Sequence, residues 1–137
     1  MKKRILWITI SLGIMSLIFY FSSQNGETSQ QTSDFFLPLL QHIPNASFLI
    51  RKTAHFTIFG CLGLAYYQSL STFPIKKRTC ILLSIIFVFC YAISDEIHQS
   101  FTNGRSCQLS DIFLDTFGGS TYIILLSLLK KEPSSFN

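Results

Sequence analysis

Ionisable side chains gather in one short stretch of the sequence, YAISDEIHQSFTNGR at residues 91–105. The stretch starts at the end of an apolar segment and then presents Asp95, Glu96, His98 and Arg105. A histidine, with an ordinary pKa of about 6.5, can accept and return a proton near neutral pH when it lies beside carboxylates. An arginine can hold a phosphate or a carboxylate through two parallel hydrogen bonds. These residue types predict a site that binds an anionic group and moves protons beside it.

Two further segments carry residues of the same kinds. RKTAH at residues 51–55 contains two cations and a histidine, and SDIFLD at residues 110–115 contains two acids. Side chains three or four positions apart share a helix face, which predicts three polar stripes: Arg51 with His55; Asp95 with His98 and Gln99; and Asp111 with Asp115, Gly118 or Gly119, and Tyr122. Glu96 lies about 100° around its helix from Asp95 and is expected to point to a different neighbour. The glycines of the third stripe allow another helix to approach closely.

The elements that must position these residues are membrane helices. The chain is 48% hydrophobic and only 13% charged, and it contains 14 phenylalanines. A membrane span needs about 20 mostly apolar residues, and four windows approach that length, at residues 5–21, 54–70, 80–97 and 112–129. Because backbone groups cannot be left unpaired in lipid, each window is predicted to be a helix. The expected fold is all-α, a four-helix transmembrane bundle that forms a single domain over residues 1–137.

The basic residues predict how the bundle is oriented. They fall in short runs at the ends of the windows rather than on one face, which argues against a nucleic-acid partner although the net charge is +4. The runs precede the first window, separate the second from the third, and follow the fourth: Lys2, Lys3 and Arg4; Lys76, Lys77 and Arg78; Lys130 and Lys131. The positive-inside rule then places both termini and the middle loop in the cytoplasm. The polar stripes are therefore expected at the extracytoplasmic face.

A short interfacial helix is expected between the first two spans. The stretch FFLPLLQHIPNASFLI is too apolar for a solvated loop, and Ser33 or Asp34 before it can cap a helix. Pro38 and Pro44 interrupt it. This helix would be a packing lid or a lipid-facing gate.

Neither a disulfide framework nor a cofactor is predicted. Cys61 and Cys90 fall inside helices and Cys80 starts the third helix at the cytoplasmic side, so Cys107 in the outer loop is expected to be a free thiol. There is no Gly-rich phosphate loop and no CxxC pair. Mixed oxygen and nitrogen ligands for a metal are available, but no metal motif of fixed spacing is present, and no metal is predicted. The candidate ligands are His55, Asp95, His98, Asp111 and Asp115.

Several segments resemble the sequence blocks of one protein family. RKTAHFTIFGCLGLAYY, YAISDEIHQSF, GRSCQLSDIFLDTFGG and the early FSSQ are similar, in this order, to the VanZ-like family of small bacterial membrane proteins, which is named for a teicoplanin-resistance protein. The resemblance spans residues 21 to about 125. The matching positions are Ser23, Gln24, Arg51, Lys52, His55, Phe56, Gly60, Asp95, Glu96, His98, Gln99, Gly104, Arg105, Asp111, Asp115 and Gly118.

The resemblance implies a multi-pass protein of the bacterial cytoplasmic membrane, linked in some members to lower susceptibility to teicoplanin-type antibiotics. It implies no defined molecular activity, and the residues allow three classes of function. The first is an enzyme that acts on the headgroup of a lipid-linked or cell-wall precursor. The second is a non-catalytic binder of a lipid or of the antibiotic's target, and the third is a structural bundle whose polar ring fixes the helix register. In the first two classes the partners are membrane lipids or an anionic lipid-linked precursor, and the oligomeric state stays open.

Each polar residue has an expected role. Proton transfer is assigned to His55, Asp95, Glu96 and His98, and binding of an anionic headgroup to Arg51, Lys52, Gln99, Arg105, Ser23 and Gln24. Asp111, Asp115 and Gly118 are expected to be structural. Asp111 and Asp115 are predicted to pair with one cation of the second helix, Arg51. Arg105 would then remain free in a flexible loop after Gly104, reaching outward to a phosphate.

Overall fold

Helices make up the regular structure of the described chain. The computed structural model describes residues 2–27, 29, 31, 45–105 and 107–130. The long helices are α1 (Lys2–Ser22), α2 (Ala46–Leu70), α3 (Lys77–Ser100) and α4 (Leu109–Leu129). No strand occurs in the described ranges, so the prediction of an all-α fold with four long helices is confirmed. The expected interfacial helix after Ser33 falls outside the described residues.

Every helix is longer than the apolar window that predicted it. The largest difference is in α2, which begins at Ala46 rather than at 54 and so includes Arg51 and Lys52 in its opening turns. The windows stopped at charged residues, because those residues lower the apolar character of a segment. The helices continue through them, because the polar side chains find partners on neighbouring helices. Each polar stripe therefore lies on regular helix rather than in a loop.

Three of the four long helices, α1, α3 and α4, are long and apolar enough to cross a membrane. Large apolar side chains stay exposed along them, among them Ile5, Leu12, Phe19, Phe113, Phe117 and Leu128. Exposed apolar surface on this scale fits contact with lipid. The helix α2 is not one of the three. It packs against each of the other three helices, and its inner face buries Phe59, Leu62, Ala65 and Tyr67.

Side-chain contacts at the two ends of the bundle show that successive helices run in opposite directions. At one end, Arg4 of α1 donates a hydrogen bond to the carbonyl of Thr72 just after α2, at 3.0 Å. At the same end Lys77 of α3 donates to the carbonyl of Lys130 just after α4, at 3.2 Å. At the other end the last turns of α1 and α3 meet through Ser23 and His98. The basic runs thus share one end, and the predicted polar stripes share the other.

Glycines let α2 and α4 approach backbone to backbone. A Cβ atom added to Gly63 would lie 2.7 Å from the carbonyl oxygen of Gly119, and one added to Gly118 would collide with the carbonyl of Phe56. Contacts this short leave no room for a side chain. The close approach expected from the glycines of the third stripe is confirmed, and it holds the middle of α4 against α2, about one turn beyond Asp115.

Candidate functional site

The central feature of the polar end is a cluster of one histidine and two acids from three helices. His55 of α2, Asp95 of α3 and Asp115 of α4 each offer one ligand-type atom, and these atoms lie within 4.8 Å of one another. Asp115 is 0% exposed and Asp95 is 4% exposed. The Nδ1 atom of His55 lies 3.3 Å from Oδ2 of Asp115. We call these three residues the His-Asp-Asp cluster.

Asp95 is held in place by its own helix and by α1. The amide of Gln99, one turn on, donates a hydrogen bond to Oδ2 of Asp95 at 2.7 Å. This confirms the Asp95 and Gln99 part of the predicted stripe, whereas its third member, His98, contacts Ser23 instead. The same amide nitrogen lies 3.4 Å from the hydroxyl of Ser22, which is 2% exposed. Gln99 therefore links α1 to the cluster and orients a carboxylate, rather than lying open to a ligand.

Glu96 points to a different neighbour from Asp95, as predicted. It is fully buried, and its Oε2 atom accepts a hydrogen bond from the backbone N–H of Gln108 at 2.8 Å. Gln108 is the N-cap residue of α4. Carboxylates are favoured at a helix N-terminus, where backbone N–H groups lack partners within the helix. This contact gives Glu96 a role in fixing the start of α4, in addition to the proton transfer expected of it.

A cavity of about 240 Å³ lies beside the cluster, between the end of α1 and the start of α2. Its polar lining includes Arg51, His55, Arg105 and Gln24. Its remaining wall is largely apolar, with Ile18, Phe21, Ile50, Ala54 and Ile58. The cavity thus combines two cationic side chains with an apolar surface, and it shares His55 with the His-Asp-Asp cluster.

Arg105 is turned toward this cavity. Its Nη2 atom donates a hydrogen bond to the hydroxyl of Ser29 at 2.7 Å, and its Nη1 atom is buried with no hydrogen-bond partner in the described part of the chain. Burial lowers the pKa of the Arg105 guanidinium from its ordinary value; the negative charge of Asp95 acts in the opposite direction, and repulsion from Arg51 lowers the pKa further. The expectation that Arg105 reaches outward is wrong, because two backbone loops hold it against the bundle.

Those loops meet through two glycines. Gly104, at φ +75°, precedes Arg105, and a Cβ atom added to Gly26 would lie 2.6 Å from the carbonyl oxygen of Gly104. The N–H of Gly26 also donates a hydrogen bond to the carbonyl of Asn103 at 3.1 Å. The loop after α1 and the loop after α3 are therefore joined, and this brings Ser29 to Arg105.

Lys52 and Asp111 form a salt bridge at the edge of the site. The ammonium group of Lys52 also lies 5.1 Å from the centre of the Phe48 ring. The prediction that Arg51 pairs with both Asp111 and Asp115 is wrong, because Asp111 pairs with Lys52 and Asp115 pairs with His55. Arg51 lines the cavity instead.

His98 and Ser23 lie on another side of the polar end. The Nε2 atom of His98 is 2.9 Å from the hydroxyl of Ser23, and its ring stacks on Phe19 with centroids 4.4 Å apart. Neither residue is among those that line the cavity in the described chain. These contacts join the last turns of α1 and α3.

The sequence left part of the site unpredicted. The apolar wall of the cavity and the hydroxyl of Ser29 were not assigned to it. The signal available for the wall was Ile50, Ala54 and Ile58, which are spaced four residues apart on α2 beside Arg51 and His55. Nothing in the sequence distinguishes Ser29 from the other polar residues of its loop.

The geometry can support two kinds of chemistry. Arg51 and Arg105 can hold an anionic group in the cavity, while His55, backed by the buried Asp115, can exchange a proton with it. The same imidazole and two carboxylates are also ligands of the kinds that first-row divalent metals take. The free cysteines Cys61, Cys80, Cys90 and Cys107 lie elsewhere, and Cys107 is exposed, as expected of a free thiol.

Comparison with known proteins identifies the family of the chain. No curated protein and no solved structure matches it. The family described as VanZ/LLP1 matches residues 7–130. The match covers nearly the whole chain, including most of α1, all of the other three long helices and every residue of the site described above, so the chain belongs to the VanZ/LLP1 family.

Proposed function

We propose that this chain binds the anionic headgroup of a lipid, or of a lipid-linked cell-envelope precursor, at the extracytoplasmic face of the bacterial cytoplasmic membrane. The observation that carries the proposal is the cavity in which Arg51 and Arg105 meet an apolar wall. An anionic lipid matches both features, because its headgroup can bind the arginines and its hydrocarbon chain can contact the apolar wall. The remaining support comes from the charges of the cavity and from its position.

The charges of the cavity favour an anionic occupant. Arg51 and Arg105 repel each other across it, although Asp95 attracts Arg105 more strongly, and Nη1 of Arg105 is a buried donor with no acceptor among the described residues. A buried donor without an acceptor costs about 1–3 kcal/mol, and more when it is charged. A phosphate or carboxylate would relieve both costs, because it places negative charge between the guanidinium groups and accepts the free N–H.

The orientation of the bundle supports an extracytoplasmic site. The runs of Lys and Arg share the end opposite to the cavity. Under the positive-inside rule that end is cytoplasmic, with both termini. A headgroup in the outer leaflet would then lie level with the cavity, and its chain would follow the exposed apolar surface of α1.

A second candidate function is catalysis on the bound headgroup. It is favoured by His55, which lines the cavity and also contacts the fully buried carboxylate of Asp115. A carboxylate behind a histidine orients the ring and stabilises its protonated form. His55 could then activate water, or another acceptor, toward a headgroup held by the two arginines. If that headgroup belongs to a cell-wall precursor, either function would change susceptibility to teicoplanin-type antibiotics.

The test is lipid binding by the purified full chain in detergent. Native mass spectrometry would compare phosphatidylglycerol and a polyprenyl phosphate with phosphatidylcholine, which carries no net charge. We expect both anionic lipids to bind more tightly than phosphatidylcholine, and Arg105→Gln to weaken their binding at least about tenfold, since a hydrogen bond to a charged group contributes about 1.5–3 kcal/mol.

The matched control is Arg78→Gln, which removes an exposed arginine at the other end of the bundle and should leave binding unchanged. Equal affinity for phosphatidylcholine, or equal losses in the two variants, would contradict the proposal. Release of inorganic phosphate from the polyprenyl phosphate over time, lost in His55→Ala, would show that the site is also catalytic.

A further inference from the structure

The His-Asp-Asp cluster has the spacing of a metal site. Two ligand atoms about 2.1 Å from one metal ion, at angles of about 90–110°, lie about 3.0–3.4 Å apart. The separation between Nδ1 of His55 and Oδ2 of Asp115 is 3.3 Å. The ligand atom of Asp95 completes a triangle with no side longer than 4.8 Å. A small rotation of its carboxylate would bring all three atoms to one ion.

The cluster also holds two acids against one histidine. Asp95 and Asp115 are both buried, and within the described residues the salt bridges to them come only from His55. Lys52 forms its salt bridge with Asp111 and not with either acid of the cluster. A third acid, Glu96, is buried in the same region. Buried carboxylates are normally paired or bind metals, so a bound cation would balance the two acids of the cluster.

One oxygen atom in the cluster has no hydrogen-bond partner among the residues that the structure describes. Oδ1 of Asp115 is buried and accepts no hydrogen bond from the described chain, although its residue is completely enclosed. A pairing of His55 with Asp115 alone occupies Oδ2 and leaves Oδ1 unsatisfied. A metal ion beside the carboxylate would neutralise both oxygens.

The surroundings of the cluster are arranged like those of a metal centre. Ligating carboxylates are usually oriented by hydrogen bonds from neighbouring residues, and Gln99 donates such a bond to Asp95 at 2.7 Å. The hydroxyl of Ser22 in turn contacts Gln99. The three ligands come from α2, α3 and α4, and direct backbone contact at Gly63 and Gly118 fixes α2 against α4.

We propose that His55, Asp95 and Asp115 bind one divalent metal ion. Imidazole suits zinc and similar ions and carboxylates suit manganese, so a site of one histidine and two aspartates fits Zn²⁺ or Mn²⁺. Three protein ligands leave open coordination positions, as in metal sites that bind a substrate. The ion would lie beside the cavity that His55 also lines.

The role of the ion toward a ligand rests on the proposed function. With Arg51 and Arg105, the ion would form the cationic side of the cavity, and an oxygen of the phosphate headgroup would take one of its open positions. Binding of the ion itself does not depend on any lipid. The two proposals can therefore fail separately.

The experiment measures metal binding by the full chain in detergent, after removal of any affinity tag and treatment with EDTA. Zn²⁺ and Mn²⁺ are added back separately, the free ion is removed by gel filtration, and bound metal is counted by inductively coupled plasma mass spectrometry. We expect about one ion per chain for at least one of the metals, and a rise in the melting temperature Tm when it binds. Asp115→Asn and Asp95→Asn should each weaken that metal at least about tenfold, since even the loss of a residue that supports a ligand costs about 10–100-fold.

Matched controls come from the same end of the bundle. Asp111→Asn and His98→Gln remove the same residue types from sites where they contact Lys52 and Ser23, and both variants should keep full metal binding. Adding metal should raise the Tm of these two variants and leave the Tm of the two cluster variants unchanged. The unfolding transition itself shows whether each variant is folded. Less than half an ion per chain for both metals, or equal losses in the control variants, overturns the metal site. Retained binding of phosphatidylglycerol in that case would leave the proposed function standing.

Discussion

At the scale of single residues, ionisable side chains of one type have different tasks at the polar end. His55 lines the cavity and contacts Asp115, whereas His98 stacks on Phe19 and contacts Ser23. Arg51 and Arg105 face the cavity, whereas Lys52 is engaged by Asp111. Residue type alone therefore does not decide the role. The neighbours that each side chain reaches across the bundle decide it.

Glu96 gives a prediction at this scale, because it holds the start of α4. Its Oε2 atom accepts the N–H of Gln108 at 2.8 Å in a fully buried position. Glu96→Ala leaves that N–H without an acceptor and should lower the free energy of unfolding by about 1–3 kcal/mol. Glu96→Gln keeps an oxygen acceptor and should lose less than half as much. Thermal unfolding of both variants in detergent would measure the difference.

The same pair of variants separates a structural Glu96 from one that lipid binding requires. If the residue only fixes α4, Glu96→Gln should keep the anionic-lipid binding of the unsubstituted chain. A stable Glu96→Gln protein without lipid binding, or a Glu96→Ala protein as stable as the parent, would show that the contact with Gln108 is not its main role.

At the scale of elements, the position of the site depends on how closely α2 and α4 pack. The backbone contacts of Gly63 with Gly119, and of Gly118 with Phe56, set that distance. His55 and Asp115 lie on these two helices, one of them about a turn before Phe59 and the other about a turn before Gly118 and Gly119. A change in helix spacing would therefore reach the His-Asp-Asp cluster directly.

Gly63→Ala is the prediction for this packing. Its Cβ would lie 2.7 Å from the carbonyl oxygen of Gly119, so the helices must separate, and we expect a loss of about 1–3 kcal/mol from overpacking. Gly13→Ala is the matched control, because it also adds one methyl group within a helix but meets nothing within 4 Å. Thermal unfolding should show a lower Tm for Gly63→Ala and an unchanged or slightly higher Tm for Gly13→Ala. Equal Tm values for both variants would mean that α2 can shift away from α4 without cost.

Much of the fold could be predicted from the sequence, for a physical reason. Lipid requires long apolar helices, and these leave a clear signal in windows such as 5–21 and 112–129. The stripes along single helices were also predictable, since the pairing of Asp95 with Gln99 and the divergence of Glu96 follow from helix geometry alone. Contacts within one helix depend only on local spacing.

Contacts between helices were predicted less well. The choice of Lys52 rather than Arg51 as the partner of Asp111 depends on how α2 is rotated against α4, and adjacent residues on a helix differ by about 100°. The inward turn of Arg105 depends on the meeting of two loops that are far apart in sequence. Neither the rotation of a helix nor the meeting of such loops has a signature in a single sequence.

At the scale of the whole molecule, the two ends of the bundle differ in the charged residues that they carry. Arg4, Lys77 and Lys130 lie at one end, and the His-Asp-Asp cluster and the cavity lie at the other. Exposed apolar side chains cover the length between them. A bilayer would hold such a molecule with its two ends in different compartments, so one measurement of sidedness decides where the cavity opens.

The exposed thiol of Cys107 makes that measurement possible. Cys107 lies in the loop between α3 and α4 at the polar end, whereas Arg78 is exposed at the basic end. Because moving a run of Lys and Arg across the membrane is disfavoured, a membrane-impermeant maleimide should label Cys107 in intact cells. Arg78→Cys in a Cys107→Ser background should stay unlabelled until the cells are permeabilised. The Cys107→Ser protein alone supplies the background from Cys61, Cys80 and Cys90, which lie within helices. Labelling at position 78 but not at Cys107 would reverse the orientation, and the cavity would then open to the cytoplasm and to headgroups of the inner leaflet.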